Sequence, residues 1–556
     1  LISETEADYA LKAQGWLLKT KNHNRKKEYK QRLRSAGMAL SIAQKQLNGD
    51  TLHALALRAK GDAFIRIRAY DSSIFYLRKA EQNFTKLEDW SQSASCLVGQ
   101  GVNHYRLKQY LAADSVLNRA MTLMEQKLDP LPSVYGTASN VLGVIYRALG
   151  DHEKALVNYQ AAVRFHEKRG QNAQRLTVAY NNLGTAYFRR GDFDKAEEFL
   201  LLAEIQANAQ DKPDFSSLSN IYNNLMLTYS YKKSYEPAER YAALRKELIA
   251  AGKAEVRKES QALFYNNLAI LHLQQDDFNS AKTVLDQAQS IGGKTAQTCA
   301  NYGYYYYRQG QHNQAEPWLN KAIEKFGNED LVELSKVYRY KAIGATRSNQ
   351  PDQAAQSFDA AFEALVPSPV INGDFQLPTM AQVRSKRELL RTLSARGEYL
   401  KVNSQSRAAL KANWTAAIAL ADSMYLEYKA EGSRRFLKSE LMPIYENAIS
   451  VLMEDFAETG DAQTAETIYG IMERSKSNLL LDLLQVKNSN RMAGVPRDLV
   501  EKEKALQIDI DFFRVEAYRA TQKGDSTKAS LYRNYELEKL NEWDHLIGQF
   551  EPESPN

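Results

Sequence analysis

Little in this sequence marks a reacting centre. Only two of its 556 residues are cysteine, Cys96 and Cys299, and they lie far apart. A disulfide framework is therefore excluded, although a single bridge is not. Thirteen prolines and 27 glycines are few for this length and favour helices over an all-β fold. No apolar run approaches the roughly 18 residues that span a bilayer, so no membrane span is expected. The net charge of +6, from 73 basic and 67 acidic residues, is a small surplus without a long basic run. It does not mark a nucleic-acid binder, and no nucleic-acid partner is expected. The eight histidines show no metal-ligand spacing with one another or with cysteine, so no metal and no cofactor are expected. The first residue is Leu1, not Met, which fits either removal of a signal peptide or a sequence cut from a longer one, so a targeting segment is not legible here. Compartment stays open: cytoplasmic, or exported.

What is present is a repeat. Hydrophobic residues make up 44% of the chain, enough for a large core. The clearest copy begins YNNLGTAYFRRGDFDKAEEFLLLA at Tyr180, with small Gly184 and Ala196, aromatic Tyr187, and Leu200 followed by Ala203. Further copies place Gly61, Gly101, Gly143, Met226, Ala269, Gly303 and Ala342 where Gly184 stands, and a partial first copy lies near Gly15. Each copy reads as two antiparallel helices, A and B. The first small residue lies where A crosses B, Ala196 is its counterpart, and the last alanine admits the next helix A. Met226 departs from this rule and is tolerated there by its flexibility. Turns such as Arg190-Gly191-Asp192 and Leu149-Gly150-Asp151 end helix A through glycine's tolerance of positive φ. Gly191 is expected at an exposed turn.

These small and aromatic positions resemble the tetratricopeptide repeat over most of residues 10–363. The resemblance implies an all-α fold, a right-handed alpha-alpha superhelix ending in a helical hairpin, with roughly 70% helix or more. Successive crossing positions from Gly61 to Ala269 lie about 40 to 43 residues apart, against 34 in the basic repeat. That looks like the extended variety of kinesin light chains and bacterial signalling regulators. The expected organisation is a solenoid of about nine repeats over 1–365, with a roughly 42-residue period, and a Pro-rich linker over 366–379. Irregular hairpins follow over 380–488, the second with Phe456, Gly460, Ala465 and Tyr469 at repeat-like spacing. A charged helical hairpin over 489–556 ends the chain.

Residues 473–484 read ERSKSNLLLDLL. Glu473, Arg474, Ser475, Lys476, Ser477 and the leucines 480, 481, 483 and 484 resemble a segment of bacterial CHAT-domain proteins. In these, repeats, this segment and a helical hairpin precede a caspase-like cysteine peptidase domain. The peptidase domain is absent from these residues, so the resemblance gives no catalytic residue here, and this chain is expected to be no enzyme. Cys96 and Cys299 both fall at packing positions of a helix A and read as small buried residues. A loose phosphate-loop match ends at Lys294-Thr295, but Ala288 already belongs to a helix B and no strand precedes it.

The remaining candidate is the inward face of the A helices. Residues three before each crossing give a column of amides, Asn140, Asn181, Asn223 and Asn266, able to donate to and accept from a peptide backbone. Residues four to five after it give a basic ladder, Arg66, Arg106, Arg147, Arg189 and Arg308, suited to acidic segments. Bonds to neighbouring helices, and ordinary solvated arginines, are the alternative readings of these two sets. Tyr304 and Tyr307 are candidate anchors, while Tyr302 and Tyr306 read as core. The expected function is a scaffold that binds protein or peptide segments, as the regulatory region of a CHAT-type protease whose C-terminal domain would be a second partner. The alternative is the sensor or adaptor region of a bacterial kinase or DNA-binding regulator.

Overall fold

The computed structural model describes residues 6–473 apart from 27, 47–49, 150, 169–172, 210–212, 255, 328–329, 367–381, 404–406 and 428–430, with scattered positions of 502–546. Of the described residues 88% are helical, and no strand occurs among them. The expected linker therefore lies outside the described residues except Val366, as does the CHAT-like segment except Glu473.

Nine hairpins follow one another. They are α1 (Glu6–Arg25) with α2 (Tyr29–Gln46), α3 (Thr51–Arg66) with α4 (Tyr70–Lys86), and α5 (Trp90–Arg106) with α6 (Tyr110–Lys127). Next come α7 (Val134–Ala148) with α8 (His152–Lys168), α9 (Ala173–Arg190) with α10 (Phe193–Asn208), and α11 (Phe215–Tyr231) with α12 (Tyr235–Ala250). The last are α13 (Lys258–Gln274) with α14 (Phe278–Gly292), α15 (Ala296–Arg308) with α16 (His312–Phe326), and α17 (Leu331–Arg347) with α18 (Pro351–Leu365). Stacked hairpins of this kind form an all-α superhelical repeat fold.

The crossings are steric. A Cβ on Gly61 would meet Leu77 Cγ at 2.8 Å, and one on Gly143 would meet the Tyr159 ring at 2.6 Å. At Gly184 it would meet Leu200 Cγ at 2.8 Å and the Ala196 carbonyl at 3.1 Å. The main counterpart is thus the large residue sixteen positions on, with the alanine's backbone second. Repeat six inverts this pair: buried Met226 shares a core cluster with Ala242, where every other repeat after the first holds leucine or an aromatic. Complementary size, rather than flexibility alone, accommodates Met226. Gly15 has open space around its Cβ direction and marks no crossing. By register with the later helix ends, that role in α1 falls to Thr20, which is 3% exposed.

Nineteen residues past each crossing stands a fully enclosed alanine: Ala39, Ala80, Ala120, Ala162, Ala203, Ala288, Ala322 and Ala361. Only repeat six differs, with Arg245. Seven residues past the crossing the chain takes a positive φ, at Arg68, Lys108, Gly191, Lys233, Asp276, Gly310 and Asn349. Gly191 (φ 94°) is buried, not exposed. Aspartates then start many helices. Asp50, Asp89, Asp192, Asp214, Asp277 and Asp330 each accept from the backbone N–H three residues on, a cap worth about 1 kcal/mol.

The chain divides into two compact units, Leu1–Pro369 with Pro378–Leu389, and Val370–Leu377 with Leu390–Asn556. After the ninth hairpin come αC1 (Lys386–Asn403), αC2 (Arg407–Glu427) and αC3 (Glu431–Thr459). In the second unit, Gly397 of αC1 lies against the Trp414 indole of αC2. A helical stretch over 462–473 follows αC3. There Phe456 and Tyr469 are exposed at 39% and 66%, so the repeat-like spacing does not bury them. In the tail, the Phe513 ring lies 5.2 Å from Tyr535 and 6.4 Å from Tyr532.

Candidate peptide-binding groove

The A helices carry the asparagines in two rows, and the rows bond to each other. Asn182 Nδ2 donates to Asn140 Oδ1 at 2.9 Å, and Asn224 Nδ2 donates to Asn181 Oδ1 at 2.9 Å. Asn267 Nδ2 donates to Asn223 Oδ1 at 3.1 Å, and Asn301 Nδ2 to Asn266 Oδ1 at 3.2 Å. Each donor stands two residues before its own crossing, one repeat further along. The sequence signal for this second row is the set of Asn-Asn doublets at 181, 223 and 266. The oxygens of the amide column therefore clip neighbouring A helices together.

Burial deepens along the column. Asn140 and Asn181 are half-buried, Asn223 is 7% exposed and Asn266 1%. Asn266 also donates to Thr298 Oγ1 at 3.1 Å, so it serves the packing of α13 on α15 and offers nothing to a ligand. By contrast, Nδ2 of Asn140 and of Asn181 donates to no acceptor among the described residues. A cleft of about 250 Å³ opens here, and Arg147, Asn181, Asn182, Asn223, Asn224 and Arg245 are among the residues that line it.

The five arginines have different surroundings. Arg66, Arg106 and Arg189 are exposed, and Arg106 lies 5.5 Å over the Tyr70 ring. Arg147 lines the cleft. Arg308 is engaged within the protein, with Nη2 on Asp276 at 2.6 Å and Nη1 on the Tyr304 hydroxyl at 3.0 Å. Burial, then the charges of Arg189 and Arg147, push the nearby His152 down to about 4.

Tyr304 and Tyr307 also have partners. Both rings stack near Tyr340 of α17, at 4.8 and 5.1 Å. Tyr302 is core, stacked on Trp318 at 4.4 Å, and Tyr306 packs against the same cluster. Within the first unit, the start of αC1 reaches the solenoid. Glu388 accepts from Arg339 Nε at 2.7 Å, and the Arg387 guanidinium lies 4.8 Å over Phe193 and 5.4 Å over Tyr231. No spacing in the sequence signalled this return, because Glu388 reads as an ordinary carboxylate in a first helical turn.

Neither thiol is poised to react. Cys96 and Cys299 are fully enclosed, and burial pushes the Cys96 thiol up to about 12 and the Cys299 thiol upward. Thr295 caps α15 and Ala288 lies within α14, so the loose phosphate-loop match is a helix–turn–helix junction.

Family models of the tetratricopeptide repeat match residues 133–204 and 296–324. Lipopolysaccharide assembly protein B of Escherichia coli, in strains K12 and O157:H7, is 25% identical over 224 residues, 39% of this chain and 53% of that protein. The chain thus spans about half the length of the curated relatives it matches. Among solved structures, the apo quorum sensor NprR from B. thuringiensis is 14% identical, covers 63% of this chain and 98% of its own, and has a TM-score of 0.47. A tetratricopeptide repeat protein from Parabacteroides merdae is 18% identical over 49% of this chain and 93% of its own, with a TM-score of 0.35. The repeats imply protein partners, and no described helix is long and apolar enough to cross a membrane.

Proposed function

We propose that this chain is a scaffold that holds an extended segment of a partner protein along the cleft from α7 to α13. The observation that carries this is the pair of amide rows, in which Asn140 and Asn181 keep a donor for a peptide carbonyl after bonding their neighbours. Backbone bonding of this kind makes few demands on sequence. Arg147 at the cleft adds a preference for acidic segments. The reading does not draw on Arg308, Tyr304 and Tyr307, which already have partners within the protein, or on enclosed Asn266.

The reading extends to a regulatory region of a CHAT-type protease, supported by the order of repeats, the ERSKSNLLLDLL segment and a charged tail. A partner recovered by pull-down with the purified chain should bind Arg147→Glu at least tenfold more weakly, with an unchanged circular dichroism spectrum. Equal affinity for Arg147→Glu and the parent would move recognition away from this cleft. For the wider reading, the coding sequence beyond residue 556 should encode a histidine–cysteine caspase-like domain; a kinase or helix-turn-helix domain there would favour the adaptor alternative.

A further inference from the structure

Repeat six breaks a rule that the other eight keep. Nineteen residues past the crossing they hold a fully enclosed alanine, and repeat six holds Arg245. The position lies between helix B and the next helix A, where a small residue lets the helices close together. Arg245 is only 1% exposed. Its guanidinium lies 4.6 Å over the Phe264 ring, and Nη2 donates to the Ser260 carbonyl and hydroxyl at 3.2 and 3.3 Å. Nε has no hydrogen-bond partner. Among the described residues no carboxylate pairs with it. Burial lowers its pKa to about 10, so it stays charged at neutral pH.

A buried charge with no counter-charge is costly, and alanine does the packing task in eight repeats. The neighbouring inversion to Met226 and Ala242 removes bulk from the same helix B. Arg245 also lines the cleft, with its hydrogen-bond partner Ser260. A planar guanidinium presents paired donors that match a carboxylate.

We propose that Arg245 is a receiving site for a carboxylate carried by the segment bound in the cleft. The carboxylate belongs either to an acidic side chain or to a chain terminus. This rests on the groove reading above and adds the group that anchors the segment at one end. Ligand binding supplies the missing counter-charge, so an acid-bearing segment gains where a neutral one does not.

The test uses the full chain and three fluorescently labelled peptides: penta-alanine with a free carboxyl terminus, its C-terminal amide, and Ala-Ala-Glu-Ala-Ala amide. Anisotropy titrations compare the parent with Arg245→Ala, which installs the alanine of the other repeats. At least one acid-bearing peptide should bind the parent tenfold or more tighter than the neutral amide, and Arg245→Ala should lose that preference without a lower melting temperature. Which of the two acids gains identifies the source of the carboxylate. Should Arg245→Ala melt well below the parent, Arg245→Gln reads the same comparison with a polar side chain kept beside Ser260. A preference that survives loss of the charge overturns the proposal. Equal binding of all three peptides to the parent also overturns it, and leaves the amide groove standing; no binding of any peptide removes both.

Discussion

At Gly184 an added Cβ would press on Leu200 and on the Ala196 backbone, and backbone cannot rotate away. Gly184→Leu should therefore cost at least the roughly 1–3 kcal/mol of an overpacked core. Gly191→Ala should also destabilise, by about 1 kcal/mol, because φ is 94° and the site is buried. Urea titrations should rank the two variants in that order, both below the parent. The equivalent turn position in repeat six is exposed Lys233, with φ 60°. Lys233→Gly relieves roughly 1–2 kcal/mol of left-handed strain against about 0.5–1 kcal/mol of added chain entropy. The expected result is a modest rise in the unfolding midpoint.

Pairs of helices bring groups together that no single helix reveals. His152 opens α8, yet its environment includes Arg147 of α7 and Arg189 of α9. Its folded pKa, about 4, lies below the ordinary 6.5, so the unfolded chain binds the proton more tightly. The associated stability is present above pH 6.5 and is lost as pH falls toward 4. His152→Gln should flatten the fall in melting temperature over that window; an unchanged slope would assign the loss to other groups. The Arg339–Glu388 pair joins α17 to the start of αC1, with the two side chains only 10% and 3% exposed. Glu388→Ala strands a buried guanidinium and should cost about 3–5 kcal/mol. Joint replacement, Arg339→Met with Glu388→Leu, should recover most of that loss in the same denaturation assay.

Within the first unit, the cleft combines amides of the A helices with two cations, Arg147 of α7 and Arg245 of the B helix α12. Arg147 is in contact with solvent and screened by salt, so affinity for an acidic segment should fall as ionic strength rises. A titration series in sodium chloride checks this, and a salt-independent affinity would exclude Arg147 from the contact. Toward the ninth repeat the residues of the A-helix face are engaged with one another, since Tyr304 and Tyr307 pack beside Tyr340 and Asp276 takes Arg308. The cleft lies in the middle of the solenoid, from α7 to α13.

The sequence by itself determined the all-α repeat fold and the crossing at Gly184, since both follow from the spacing of small and large residues along single helices. It also placed Asn181 and Arg147 on one face, because helical periodicity fixes which side chains share a side. It did not determine that Asn266 is enclosed while Asn181 is not, or that Tyr304 meets Tyr340. Those outcomes depend on how closely successive hairpins stack, a distance set by side chains from different repeats. Arg245 shows the division most sharply. Its departure from alanine is written in the sequence, but only the tertiary structure decides that the charge is buried, without a carboxylate, beside a cleft, because those facts depend on groups that α12 itself does not carry.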